Sequence, residues 1–180
     1  MAAALETERL VGEPASEEHR DFVVALFGDP EVARWIWPEG RKGPGRAGPR
    51  TPAQAEQLLQ RFIADWDSCG FGWWFLRERA SGRLVGDVVL QRAEVEGEQV
   101  VEVGWTMMPA HWGRGYATEA ARAALAHGFG PAGLDEVVAF TLPHNIASRR
   151  VMEKLGMSYV RDIERAGLAH VLYRLRRTGT

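Results

Sequence analysis

Val101-Glu102-Val103-Gly104-Trp105-Thr106-Met107-Met108-Pro109-Ala110-His111-Trp112-Gly113-Arg114-Gly115-Tyr116-Ala117-Thr118-Glu119-Ala120 is the stretch on which the reading turns. Its first seven residues alternate like a strand, Pro109 closes them, and two glycines lead directly into a helix of small residues. The first amides of a helix lack intrahelical partners, and the helix dipole favours negative charge beside them. Glycine lets the backbone approach a phosphate closely, and Ala117, Ala120 and Ala121 let the helix sit tightly on a sheet. A tight turn would also account for two glycines. A dinucleotide-binding fold is the specific alternative, since Gly113-Arg114-Gly115 begins G-x-G-x-x-G and Asp135 follows at the spacing of a ribose-binding acid. It fits poorly. Thr118 stands where a third glycine or alanine belongs, Asp135 precedes its strand, and the upstream segments read as antiparallel hairpins.

Upstream, Phe71–Arg77 and Leu84–Leu90 read as strands joined by Ala80-Ser81-Gly82, and Val100–Met107 follows a Glu-rich turn at 94–98. Thr51-Pro52 opens a helix with Leu58, Leu59, Phe62, Ile63 and Trp66 on one face, ending at Gly70. Residues 38–52 carry eight Gly or Pro and predict a long surface connection, or a flap over a substrate site. Thr7–Val11 reads as a strand before Gly12-Glu13-Pro14, and Ser16 caps a helix that Gly28-Asp29-Pro30 stops. Downstream, the helix runs about Thr118–Phe129, Leu134–Leu142 is a buried strand, and Ile146–Leu155 is a short helix ended by Gly156. Tyr159–Glu164 and His170–Leu175 close the chain as an antiparallel pair. The class is α+β (mixed α/β) in one domain spanning 1–180.

At 180 residues and 46% hydrophobic, the chain can build a core without disulfides or a structural metal. One cysteine excludes a disulfide framework, and no two of the five histidines share an i,i+4 spacing, so no metal site is expected. Net charge −2 argues against a nucleic-acid partner. No run is long and apolar enough for a membrane span, and the N-terminus lacks a signal-peptide pattern, so the expected location is cytoplasmic.

Trp112-Gly113-Arg114-Gly115-Tyr116-Ala117 resembles the pyrophosphate loop of the GNAT acetyltransferases, and its continuation through Thr118-Glu119-Ala120 resembles their Rim-type branch, the ribosomal-protein N-terminal acetyltransferase-like group. Asn145-Ile146-Ala147-Ser148-Arg149-Arg150-Val151-Met152-Glu153-Lys154-Leu155-Gly156-Met157 resembles the second family motif, and Glu6-Thr7-Glu8-Arg9-Leu10 and Gly28-Asp29-Pro30-Glu31-Val32 match the branch too. The resemblance spans about residues 6–176. It implies a mostly antiparallel seven-stranded sheet whose fourth and fifth strands, here 100–107 and 134–142, are parallel and splay apart, with four flanking helices.

The resemblance further implies acetyl-CoA as co-substrate and no metal. The pantetheine arm would run along Trp105, Thr106 and Met107, with the pyrophosphate on the amides of Gly113, Arg114, Gly115, Tyr116, Ala117 and Thr118. Trp112 fills a slot where many members have Gln or Arg. Asn145 matches the asparagine that contacts the cofactor, and Ser148 the serine that protonates the leaving thiolate. Many members use a tyrosine where Met152 stands here, and Met152 cannot donate a proton. Ser148 could instead bond back within its own helix, and Tyr159 is a further phenol with a core reading. Strand alternation puts Glu102, Gly104 and Thr106 on one face, and Glu102 matches the branch's general base. An exposed strand carboxylate is the plain alternative.

Acceptor selectivity in this fold implies residues 20–70 and 158–175, with Trp35 and Trp37 as a pocket wall. Arg41, Lys42, Arg46 and Arg50 would repel a polycation. The implied partners are an acyl-CoA and an amine acceptor, either a protein N-terminus or a small amine. Neither a nucleic acid nor a membrane is implied, and a homodimer is among the expectations. Two non-enzyme readings stay open: a catalytically silent acyl-CoA sensor, and a structural domain that binds no cofactor and has no need of glycine at 113 and 115.

Overall fold

A computed structural model describes residues 3–42 and 47–177 of the chain. Eight strands form one sheet: β1 (Leu5–Glu6), β2 (Leu10–Pro14), β3 (Trp73–Glu78), β4 (Leu84–Val95), β5 (Glu98–Met107), β6 (Glu136–Thr141), β7 (Ser158–Arg165) and β8 (Leu168–Arg176). Their spatial order is β1-β2-β3-β4-β5-β6-β8-β7. Five helices flank it: α1 (Arg20–Gly28), α2 (Pro30–Ile36), α3 (Pro52–Cys69), α4 (Tyr116–Phe129) and α5 (Ile146–Lys154). The mixed α/β class stands as expected, with one strand and one helix more than the seven and four anticipated.

Both additions have local causes. The expected strand at 7–11 is broken because Thr7 turns the chain: its hydroxyl takes the Leu10 amide at 2.9 Å, and its own amide donates to the Leu10 carbonyl. Gly12 then lies within β2 rather than after a strand, paired with Leu5 and Leu76, and glycine suits it because a Cβ there would stand 3.0 Å from Leu5 Cβ and 3.3 Å from Trp74 Cβ. The second helix arises because Asp29-Pro30 both stops and starts. The Asp29 carboxylate accepts from the amides of Glu31 and Val32, and Pro30 occupies the first helical position.

The other boundaries move by a few residues. Thr51 and Gln54 form a reciprocal capping box at the start of α3, and Gly70 ends it at φ 72°. The β4–β5 turn is tighter than the Glu-rich stretch implied: Glu96 and Gly97 both take positive φ, and pairing continues out to Val95 and Glu98. Of the 38–52 connection, residues 43–46, Arg46 among them, lie outside the described residues. None of the helices among the described residues is long and apolar enough to cross a membrane.

Pairing within the sheet is antiparallel except between β5 and β6, which run parallel and meet in register only at Glu102 and Val138. Cross-strand partners share a face. Register therefore places Trp73, Val89 and Gly104 in one row, Phe75, Asp87 and Thr106 in the next, and Gln91 opposite Glu102. Phe62 of α3 stacks on Trp73 at 3.8 Å and Phe27 of α1 meets it edge-on, so α1 and α3 cover this face. The small residues Ala120, Ala121 and Ala124 bury α4 against β4 and β5 on the opposite side.

Candidate active site

β5 and β6 part beyond Glu102, and the free edge of β5 faces the gap. The Met108 amide donates to the Val85 carbonyl on β4, so strand alternation turns the backbone groups of Trp105 and Met107 the other way, into the gap. Thr106 turns its backbone toward β4 and its side chain onto the Glu102 face. Gly86 makes this edge possible, because a Cβ there would collide with the Thr106 carbonyl and with Met107. The Trp112 indole donates to the Met107 carbonyl at 2.8 Å, tying the loop after the strand to the top of the gap.

That loop ends in two left-handed glycines, Gly113 at φ 75° and Gly115 at φ 81°. Gly115 is the N-cap of α4 and supplies no side-chain cap, so the first amides of the helix, those of Tyr116, Ala117 and Thr118, are left for an anion. The loop is buttressed from beneath. Tyr116 donates its hydroxyl to Glu78, Ser81 also donates to Glu78, and the Arg114 guanidinium lies 3.9 Å from the same carboxylate. These hydrogen bonds hold the Glu78 carboxyl below its ordinary range and the Tyr116 phenol above it.

On the helix-covered face, Glu102 is 9% exposed and accepts a 2.9 Å hydrogen bond from Gln91. Burial raises its pKa to about 7, against the opposing pull of Gln91 and Arg165. Gly104 beside it has no room for a side chain: a Cβ there would crowd Val89 Cγ1 at 3.2 Å and stand 3.9 Å from Glu102 Oε1. Across β6 the same face carries Phe140, with the Arg165 guanidinium 4.4 Å above its ring and His170 edge-on at 6.1 Å. Arg165 reaches back across the sheet to the Glu94 carbonyl. Burial above all, with Arg165 adding to it, holds the His170 imidazole pKa below its ordinary value against the opposing hydrogen bond with the Leu168 carbonyl.

Asn145 is buried and caps α5, its side-chain oxygen accepting from the Ser148 amide at 3.2 Å. Among the described residues, the Ser148 hydroxyl makes no bond to its own helix. Trp35 meets His144 at 5.7 Å, which sets α2 beside the outlet of β6. Trp37 is engaged elsewhere, packed on Phe27 and lying under the Arg50 guanidinium at 3.5 Å. Residues 40–42 meet the tip of the β7–β8 hairpin: the Lys42 amide donates to the Ala166 carbonyl, and Gly40 lies against Leu168.

Residues 9–158 match the acetyltransferase (GNAT) domain family. The chain belongs to that family. Over 163 residues it is 34% identical to the FsC-acetyl coenzyme A-N(2)-transacetylase of Aspergillus fumigatus, covering 87% of this chain and 65% of the relative. Its fold is similar to that of a GNAT-family acetyltransferase from Bordetella pertussis, at 31% identity and TM-score 0.78, covering 96% of this chain and 98% of that one. Solved neighbours also include the Rim-type ribosomal-protein acetyltransferases. The ribosomal L7/L12 enzyme RimL, in complex with coenzyme A, shares the fold at TM-score 0.78 and 14% identity, covering 97% of this chain and 98% of that one. The GNAT fold carries with it the use of acetyl-CoA, and the chain is an acetyltransferase of that family.

Gln91, Arg165 and His170 escaped the sequence reading. Gln91 had a usable signal, since a two-residue turn at Glu96-Gly97 fixes it opposite Glu102. Arg165 and His170 fall in the 158–175 segment that the resemblance implied for the acceptor, but nothing local placed them beside Glu102, because they arrive from a hairpin some sixty residues away.

Proposed function

We propose that the enzyme transfers the acetyl group of acetyl-CoA to a primary amine by direct attack in a ternary complex. The observation that carries this reading is Glu102, buried with a pKa of about 7 beside Gly104, where β5 and β6 separate. Such a carboxylate is poised to take a proton near neutral pH.

The described residues fit the co-substrate. Gap-facing backbone groups of Trp105 and Met107 suit the pantetheine arm, the amides of Gly113 through Thr118 suit the pyrophosphate, and Asn145 flanks the arm. Acetyl-CoA supplies a thioester-activated acyl group. Glu102 accepts a proton from the acceptor ammonium, directly or through a water. The neutral amine attacks the carbonyl carbon, so the C–N bond forms as the C–S bond breaks. The proton that the attacking nitrogen then sheds passes through Ser148, or a water it holds, to the departing sulfur. Trp35 walls the acceptor side.

A protein N-terminus and a small amine both fit this chemistry. The contact of residues 40–42 with the β7–β8 tip narrows the acceptor side and favours the small amine. The test is calorimetric titration with acetyl-CoA, CoA and succinyl-CoA, followed by thiol release with a panel of N-terminal peptides and small amines. Tight binding of acetyl-CoA and thiol release with one amine class are expected. Binding without turnover on any amine would leave the sensor reading.

A further inference from the structure

Two segments of the chain that no catalytic step uses, Thr7-Glu8-Arg9 near the start and Glu119 in α4, meet directly beneath the glycine loop. Thr7 Oγ1 donates to Glu119 Oε1 at 2.7 Å, and the Arg9 amide donates to the same oxygen at 2.8 Å. Arg9 Nε and Nη2 both reach Glu119 Oε2 at 2.7 Å. The remaining guanidinium nitrogen, Nη1, donates to the carbonyl of Arg114 at 2.9 Å. The guanidinium also lies 4.7 Å over the Tyr116 ring.

We propose that Arg9 is a positioning residue that sets the direction of the Gly115 amide for coenzyme A. In a trans peptide the carbonyl and the following N–H point in opposite directions. Holding the Arg114 carbonyl toward Arg9 therefore aims the Gly115 N–H away from Arg9, out of the loop. The peptide needs such a hold, because the residue on its C-terminal side is the left-handed Gly115, whose φ is not restrained by a side chain. Glu119 fixes the guanidinium through its Nε bond and Nη2 ion pair, and fixes the backbone beside it through the bonds from Thr7 Oγ1 and the Arg9 amide; it sits in the first turn of the same helix, so the brace and the loop move as one body. Arginine suits the post, because a rigid fork serves a carboxylate and a carbonyl together where an ammonium serves one geometry. The turn at Thr7, which splits the expected first strand, is what brings Arg9 to this spot.

The inference rests on the proposed coenzyme A site, and its test separates the two. Dissociation constants of CoA and of pantetheine, which lacks the pyrophosphate, are measured for wild type, Arg9→Ala, Arg9→Lys and Glu119→Gln, with melting temperature as the check on folding. Arg9→Ala is expected to weaken CoA about tenfold or more and to leave pantetheine unchanged. Arg9→Lys should fall between wild type and Arg9→Ala, and Glu119→Gln should weaken CoA in the same selective way. Unchanged CoA affinity in Arg9→Ala overturns the inference, as does an equal loss for CoA and pantetheine. A wild-type chain that binds no CoA overturns the site reading, and the inference with it.

Discussion

The two sides of the gap between β5 and β6 are built from different materials. On the α4 side, the free edge of β5 and the loop through Gly113 and Gly115 present backbone amides and carbonyls, and side chains such as Trp112, Arg9 and Glu78 act by holding that backbone in place. On the α1–α3 side the backbone recedes, and the chemistry lies in side chains gathered from four places: Glu102, Gln91, Trp35 and the β7–β8 pair Arg165 and His170. A constant ligand can be held by backbone geometry. An acceptor that varies from enzyme to enzyme has to be read by side chains.

If this division is right, substitutions should sort by side. The largest effect is expected on the acceptor side. Glu102→Gln should lower kcat by about 10²–10⁴-fold while leaving acetyl-CoA affinity unchanged. The wild-type pH profile of kcat/KM should rise toward a plateau above about pH 7, where the Glu102 carboxylate is the base. In Glu102→Gln that ionisation should vanish from the profile. A variant that also lost acetyl-CoA would break the division.

A smaller effect concerns stability. Asp87 is fully buried on the same face as Glu102, and burial raises its carboxyl pKa well above the ordinary 3.8 despite the nearby Thr106. A carboxyl whose folded pKa is raised binds more protons folded than unfolded. Stability is then greatest below the unfolded value and falls as pH rises toward the folded one. Asp87→Asn should accordingly raise the melting temperature at pH 8 relative to wild type, and do so far less at pH 4. An equal shift at both would show that Asp87 does not titrate across folding.

The smallest effect lies on the donor side. Trp112→Phe keeps an aromatic ring and removes the 2.8 Å bond to the Met107 carbonyl. Roughly 1 kcal/mol, a few-fold weaker binding of acetyl-CoA, is expected, with the KM of the acceptor unmoved. A change in acceptor KM alone would put Trp112 on the wrong side.

The same asymmetry explains what could be read in advance. The donor side was legible because its requirements are local in sequence: glycines at fixed spacing, a proline ending the strand, small residues opening the helix. Glu102 was named through the family resemblance, with strand alternation giving only the face it shares with Gly104 and Thr106. The acceptor side was legible only as segments, residues 20–70 and 158–175, through the family resemblance, because α2, residues 40–42 and the β7–β8 tip converge through tertiary packing, and nothing in Arg165 or His170 marks them as neighbours of Glu102. The first strand and the second helix were misread for a subtler reason. Thr7 and Asp29 each have two uses, and a residue that stops one element can cap the next.

One measurement bears most directly on the account: calorimetric titration of wild type and Gly115→Val with acetyl-CoA, side by side. At φ 81° a valine is strained, and its side chain would press on Arg9 Nη2, 3.4 Å from the added Cβ. Wild type is predicted to bind, and Gly115→Val to lose about tenfold or more in affinity. Equal affinity in the two proteins would contradict the reading of this loop as the seat of the pyrophosphate, and absence of binding in both would contradict the site as a whole.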